Sequence, residues 1–264
     1  MDGLLQISIL DRIARLTLNR AQTHNAFDDE LIGELIAALD GLARDESVRA
    51  LVLSGAGASF SAGANANWMK RMAAAGEAEN RADSERLAAL MRGLNFFPKP
   101  TIARVNGAAM GGGVGLIACC DIAIAADTAK FALSEVKLGL VPAVISPYVV
   151  AAIGGRQARR LFITAETIDA REAQRIGLVH RVVAGDDLDE AVERELGLLA
   201  KGAPLAQREA KQLALVMGGM TETAAAATDR ENAALIARLR IAAEGQAGLS
   251  AFLDKQAPPW IKEN

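Results

Sequence analysis

The sequence predicts an α/β fold in which strands crowd the first half of the chain and helices the second. Three observations carry this reading. Residues 5–10 and 13–19 alternate apolar with polar side chains around Asp11-Arg12, the period-two pattern of a hairpin. Short apolar runs then recur at 50–53, 101–105, 122–125 and 130–133, each bounded by glycine, proline or charged residues. From Ser146 onward the signals are helical almost to the end, broken by one brief strand predicted at 179–183.

Taken in order, the hairpin is followed by a helix that Asp28-Asp29 opens, with Leu31, Leu35, Ile36, Leu39 and Leu42 at helical spacing. After the strand at 50–53 comes a small-residue loop at 55–63. An Ala/Glu/Arg-rich helical region then covers roughly 68–94, and Pro98 and Pro100 close it. A second glycine-rich loop at 107–113 follows the strand 101–105 and runs into a short apolar helix ending at Cys120. No linker, repeat or low-complexity block divides the chain. We therefore expect an α/β core over residues 1–200 and a helical region over 201–264, with Pro204 near the joint and Pro258-Pro259 near the tail.

Composition excludes whole classes of function. The chain has 264 residues, 51% hydrophobic and 23% charged, enough to bury a large core and too apolar for disorder. The balance of 29 basic against 32 acidic side chains offers no concentrated cationic face, so no nucleic acid partner is expected. The only cysteines, Cys119 and Cys120, are adjacent and cannot build a disulfide framework or a thiolate zinc site; a cytoplasmic, reducing setting and no metal are expected. Two histidines, His24 and His180, leave little material for a histidine-ligated metal or a Ser-His-Asp triad. The longest uncharged run, 138–155, has 18 residues but is interrupted by Pro142 and Pro147, so it reads as a buried loop and helix and no membrane partner is expected.

The least ordinary segments are 59–67 and 106–115, each expected to follow a strand and lead into a helix. Their glycines and alanines permit close backbone approach, and the first N–H groups of a helix lack intrahelical partners. Two such ends facing one another would place N–H donors on a single oxygen, the arrangement of an oxyanion hole. Gly113-Val-Gly115-Leu-Ile-Ala118 fits a dinucleotide fingerprint only nominally, because it lies eight residues beyond the predicted strand end and inside the helical run. Ser59-Phe-Ser61-Ala-Gly63 falls short of a nucleophile elbow, with serine in place of its first glycine.

These segments resemble the crotonase superfamily, the enoyl-CoA hydratase/isomerase group. The motifs are Leu18-Asn-Arg20 with Asn25-Ala-Phe27, Phe60-Ser-Ala-Gly-Ala64, Asn106-Gly-Ala-Ala-Met-Gly-Gly-Gly113, Cys120-Asp-Ile122, Phe131-Ala-Leu-Ser-Glu-Val136, Gly139-Leu-Val-Pro142 and Ala173-Gln-Arg-Ile-Gly-Leu-Val179. The tail from Glu244 to Phe252 matches as well. The resemblance implies a spiral of ββα units, a C-terminal helical region that trimerises, and a homotrimer or a hexamer of two trimers. It implies an acyl-CoA substrate, coenzyme A being part of that substrate and no separate cofactor being needed. By position it makes the Ala64 and Gly112 N–H groups the oxyanion donors, and assigns substrate contacts to Ala26, Ala62, Asn65, Ala66, Gly111 and Pro142.

Two departures from the family pattern stand out. Its hydratases usually carry two glutamates; the second is Glu135, but the first falls on Gly115. The usual Gly-Ala-Asp of the first loop reads Gly63-Ala64-Asn65. Asparagine caps a helix about as well as aspartate, so the local fold is expected to survive.

One carboxylate suffices for moving a double bond between C3 and C2, which on Gly115 alone favours an isomerase. It also suffices for hydration if it takes a proton from water and delivers it to C2. A finer resemblance, through Leu133-Ser-Glu-Val136 and 141–148, is to bacterial methylglutaconyl-CoA hydratases and the related geranylglutaconyl-type enzymes. That resemblance implies hydration of a branched, carboxylated enoyl-CoA such as 3-methylglutaconyl-CoA, with Glu135 as base and proton donor. Lys70 or Arg71 then become candidates for the distal carboxylate, and Arg20, Lys99, Lys255 and Lys262 for the CoA phosphates. Trp68, Tyr148, both cysteines and both histidines are expected to have packing roles.

Overall fold

The computed structural model of the chain describes residues 3–261. The opening hairpin forms as its alternation dictates, β1 (Leu5–Leu10) pairing antiparallel with β2 (Ile13–Leu18), with Asp11 and Arg12 in the left-handed region at the turn. Helix α1 (Asp29–Arg44) starts where the two aspartates place it, the Asp28 carboxylate accepting from the Leu31 N–H at 3.0 Å. Its predicted stripe faces the core: Leu31, Leu35, Leu39 and Leu42 are buried and Ile36 partly so.

From there the chain repeats a unit of two strands and helical structure. The units are β3 (Ala50–Gly55), β4 (Ser59–Ser61) with α2 (Ala66–Ala74) and α3 (Glu77–Asn95); β5 (Thr101–Val105), β6 (Ala108–Met110) with α4 (Gly112–Cys119); and β7 (Ile122–Ala126), β8 (Lys130–Ala132) with α5 (Ser146–Thr164). The first strand of each unit joins a six-stranded sheet of order β1-β2-β3-β5-β7-β10, where β10 is Arg181–Val183. The second joins a four-stranded sheet of order β4-β6-β8-β9, where β9 is Ile168–Asp169 and leads into the short helix α6 (Ala170–Arg175). Alternation between two sheets, advancing one strand per unit, is the spiral that the resemblance implies.

Several elements correct the sequence-based picture. Both glycine loops contain a three-residue strand, β4 and β6, too short to show alternation. The helical region at 68–94 is two helices, because Gly76 interrupts it; the Asn80 side-chain amide donates to the carbonyls of Met72, Ala75 and Gly76 at 2.9–3.2 Å across the break. The strand expected at 179–183 is confined to Arg181–Val183, and β9 was not predicted.

From Leu188 on, the described residues are mainly helical. Helix α7 (Leu188–Leu199) packs on the large sheet through Leu188, Ala191, Val192 and Leu196. Helix α8 (Pro204–Met217) has its proline in the first turn and buries none of its residues, leaving Leu205, Leu213 and Met217 exposed. Helix α9 (Glu222–Ile241) returns along α3, and α10 (Ala243–Leu253) lies against α2 and the turn that follows β8. Among the described residues no helix is long and apolar enough to cross a membrane.

Candidate active site

Three loops leave the carboxyl ends of β4, β6 and β8, which are neighbours in parallel register: Ser59 and Ser61 pair with Ala108 and Ala109, and Ala109 and Met110 with Phe131 and Ala132. The loops therefore emerge side by side and carry Ala64, Gly112 and Glu135. The site is thus a consequence of the sheet register.

The first loop is templated by residues 24–27. The Phe27 N–H donates to Gly63 O at 2.6 Å, and the Asn65 N–H donates to Phe27 O at 2.7 Å. Between these bonds, Ala64 and Phe27 form a parallel bridge. Fully buried Asn25 anchors the template, its amide donating to Ala56 O and Ser59 O at 2.9 and 2.8 Å and its side-chain oxygen accepting from the Arg20 N–H at 2.9 Å. Asn65 then caps α2, accepting from the N–H groups of Asn67 and Trp68 at 2.9 and 3.3 Å, which is the cap role expected for it.

The second loop closes on the first through glycine. Gly63 has φ +79°, and a Cβ there would lie 2.9 Å from Met110 O. Gly111 has φ +48° and ψ −114°, a conformation closed to residues with a side chain. Gly112 and Gly113 begin α4, so their N–H groups precede the first intrahelical bond. The Ala64 and Gly112 N–H groups donate to no acceptor among the described residues. Two such donors in one cavity wall can polarise a carbonyl and hold the negative charge that develops on its oxygen.

The third loop is a single-turn 3-10 helix, Glu135–Leu138. Gly111 lies against the carboxyl it carries: a Cβ there would be 3.1 Å from Glu135 Oε1. Glu135 Oε2 is buried and has no hydrogen-bond partner in the chain. Burial raises the carboxyl from 4.5 to about 7, against the opposing effect of a hydrogen bond from its own backbone N–H. An acid–base group is thereby poised near neutral pH.

A cavity of about 390 Å³ joins these groups. Ala62, Ala64, Gly111, Gly112 and Glu135 line it together, beside an apolar wall that includes Trp68, Met69, Met72 and Leu140. Leu249 and Phe252 of α10 and Arg240 of α9 complete it, so the region beyond residue 200 contributes to the site. Of the other expected contacts, Ala26 is buried beside Phe27, Asn65 and Ala66 form the start of α2, and Pro142 is buried after the Glu135 turn; none of the four is part of the cavity lining.

Position 115 is closed. A Cβ on Gly115 would come within 2.3 Å of Ile145 Cγ2, 2.9 Å of Ile145 Cβ and 3.2 Å of Met91 Sδ. The space that a first glutamate would need is occupied by apolar side chains.

The proposed cations fall elsewhere. Lys70 is exposed and Arg71 pairs with Asp29 on the surface; neither lines the cavity. Arg20 pairs with Asp28, and the Lys99 ammonium donates to the carbonyls of Leu42 and Asp45, both at 2.6 Å. Lys255 follows α10, and Lys262 lies outside the described residues. Tyr148 is buried, while Trp68 both packs in the core and faces the cavity. Both cysteines are buried, and burial pushes the Cys120 thiol up to about 12, consistent with an inert packing role. The histidines are exposed rather than core residues, His24 Nδ1 lying 3.1 Å from Ser59 Oγ and His180 Nδ1 accepting from the Ala123 N–H at 3.0 Å. Arg240, Met69, Met72, Leu249 and Phe252 were not anticipated, because only tertiary packing brings them to the loops.

Residues 9–263 match the family described as Enoyl-CoA hydratase/isomerase. A crystal structure of an enoyl-CoA hydratase from Shewanella pealeana is similar with a TM-score of 0.80 and 43% identity, covering 98% of this chain and 96% of that one. The 2,3-dehydroadipyl-CoA hydratase of Escherichia coli is 32% identical over 97% of this chain and 98% of its own. The crotonyl-CoA hydratase of Syntrophomonas wolfei is 33% identical over 96% of both.

Proposed function

The chain belongs to the enoyl-CoA hydratase/isomerase family, and from that premise we propose that it hydrates a 2-enoyl-CoA thioester with Glu135 as the single acid–base residue. The observation that carries the reading is the Glu135 carboxyl, with Oε2 buried and unpartnered and the group raised to about 7 by burial, the only acidic side chain in the cavity wall among the described residues. In this mechanism the thioester oxygen accepts from the Ala64 and Gly112 N–H groups. The Glu135 carboxylate takes a proton from water as the hydroxide oxygen bonds to C3, and the C2–C3 π electrons move onto the thioester as an enolate. The two N–H groups stabilise that charge. The protonated Glu135 then delivers its proton to C2, so the whole of one water is added and the carboxylate is regenerated. Coenzyme A enters only as part of the substrate.

The named activities of the Escherichia coli and Syntrophomonas wolfei relatives support hydration. The finer motifs support a branched acyl group with a distal carboxylate, such as 3-methylglutaconyl-CoA. One observation favours a second reading: closure of position 115 leaves a single carboxylate, all that an isomerase needs to shuttle a proton between C2 and C4. For assembly we favour a homotrimer or homohexamer, which the exposed Leu205, Leu213 and Met217 of α8 support.

The discriminating measurement presents the purified protein with 3-methylglutaconyl-CoA, crotonyl-CoA and a 3-enoyl-CoA in parallel. Hydration of either 2-enoyl thioester, with preference for the carboxylated one, is the expected result. Consumption of the 3-enoyl thioester alone would replace hydratase by isomerase.

A further inference from the structure

The cavity wall carries two cations, Lys137 and Arg240, and they are held differently. Lys137 stands exposed on the Glu135 turn. Arg240 is pinned: its side chain is 12% exposed, and its Nη1 donates to Asn80 Oδ1 at 3.2 Å, Asp83 Oδ2 at 3.1 Å and Ser84 Oγ at 3.5 Å. All three acceptors lie on α3, and the other Asp83 oxygen accepts from Trp68 Nε1 at 3.0 Å. The guanidinium carbon sits 5.8 Å from the centre of the Trp68 ring, which restrains the group's position.

These contacts use a single guanidinium nitrogen. Nε and Nη2 donate to nothing among the described residues, and Arg240 lines the cavity. That pair of nitrogens forms the edge that binds a carboxylate through two parallel hydrogen bonds. If Arg240 served only to tie α9 to α3, an apolar residue would do so without the desolvation cost of a buried charge. Its neighbours in the wall, Trp68, Met69, Met72, Leu87 and Leu140, are otherwise apolar, as an acyl chain requires.

We infer that Arg240 is the specificity-determining residue of this site, receiving the distal carboxylate of a dicarboxylic acyl thioester on its Nε–Nη2 edge while Asp83 and Trp68 hold it in place. This rests on the reading that an acyl-CoA occupies the cavity, but not on which reaction follows. It also moves the carboxylate contact from Lys70 and Arg71, which do not line the cavity, to a residue on α9, far along the chain.

The test is binding of two unreactive, saturated five-carbon thioesters, glutaryl-CoA and valeryl-CoA, measured by calorimetry on the full chain. We expect the native protein to bind glutaryl-CoA at least about tenfold more tightly than valeryl-CoA, as a charge-assisted bidentate contact provides. Arg240→Met should erase that preference and leave the valeryl-CoA affinity within about threefold. Arg240→Lys keeps a cation for Asp83 and so guards against misfolding; it should retain part of the preference, because an ammonium cannot reproduce the paired contact. Equal weakening of both ligands by either variant would reduce Arg240 to a structural tie and overturn the inference. So would a native protein that binds both thioesters alike, with the acyl-CoA reading of the cavity left standing. Binding of neither would remove that reading, and this inference with it.

Discussion

Gly115 and Glu135 occupy the two positions at which the family resemblance leads one to expect carboxylates, and the structure treats them in opposite ways. Around Gly115 the interior is full: Ile145 and Met91 approach so closely that even a methyl group meets a carbon at 2.3 Å. Glu135 lines the cavity, and beside its Oε1 lies Gly111, which has no side chain to crowd it. Gly115 is buried and Glu135 half-buried, with one carboxyl oxygen fully enclosed. What distinguishes them is the neighbour: apolar side chains at one, and at the other the side-chain-free Gly111 beside Oε1, with Oε2 buried and without a partner. An unpaired buried carboxyl costs stability and is retained where its proton has work to do.

The comparison breaks most visibly at Glu135. Glu135→Gln should lower kcat on the preferred substrate by about 10²–10⁴, the range for removal of a general acid–base group. The same change should stabilise the protein at pH 8. Because the folded carboxyl titrates near 7 rather than 4.5, the folded state holds the proton more tightly, and stability falls as pH rises through that window. The cost when ionised is on the order of 3 kcal/mol. Denaturant unfolding at pH 8 and pH 4 checks the sign: the advantage of the Gln variant should be present at the first and absent at the second. Native kcat/KM should fall about tenfold per unit below pH 7, since the reaction starts from the carboxylate. Full activity in the Gln variant would end the role assigned to Glu135.

How far these contrasts could be read from the amino acids follows from their range along the chain. The hairpin and α1 announce themselves through local period and capping, while the strands at 50–53 and 101–105 show as short apolar runs, since they are buried on both faces and carry no alternation. The two glycine loops are conspicuous in composition, and Glu135 in its motif. The strands β4 and β6 are not, since three residues cannot show a period. Arg240 is another case: beside Arg238 on a helix with charges along its length, it is indistinguishable from a solvated residue until α9 is laid on α3. The sequence shows that Gly115 lacks a carboxylate, but Ile145, which closes the position, is 30 residues away and declares nothing locally.

Gly111 lies beside Glu135 without a side chain to crowd it, so a side chain there tests that half of the comparison next. Gly111→Ala places a residue with a Cβ at φ +48° and ψ −114°, a strained conformation, with the new methyl 3.1 Å from Oε1. The carboxyl and the neighbouring Gly112 N–H must both shift. A loss of about 10²-fold in kcat is expected, as for a misplacement of around 1 Å between reacting groups. Substrate binding measured with a saturated acyl-CoA should change far less. Unchanged kcat would mean that the glycine spares strain only and does not set the position of the acid–base group.

The closed half responds through stability rather than rate. Gly115→Ala adds one carbon where Ile145 already sits, and overpacking of this kind costs about 1–3 kcal/mol. Part of that cost is returned because alanine is the better helix former by about 1 kcal/mol. Activity per folded molecule should hold within about threefold, because neither Ile145 nor Met91 lines the cavity. Pairing the change with Ile145→Ala should restore room for the methyl but open space beyond it, so the two substitutions should be strongly non-additive in unfolding experiments. If Gly115→Ala instead removed activity at full stability, position 115 would be part of the chemistry, and the division between a filled position and a working one would not hold.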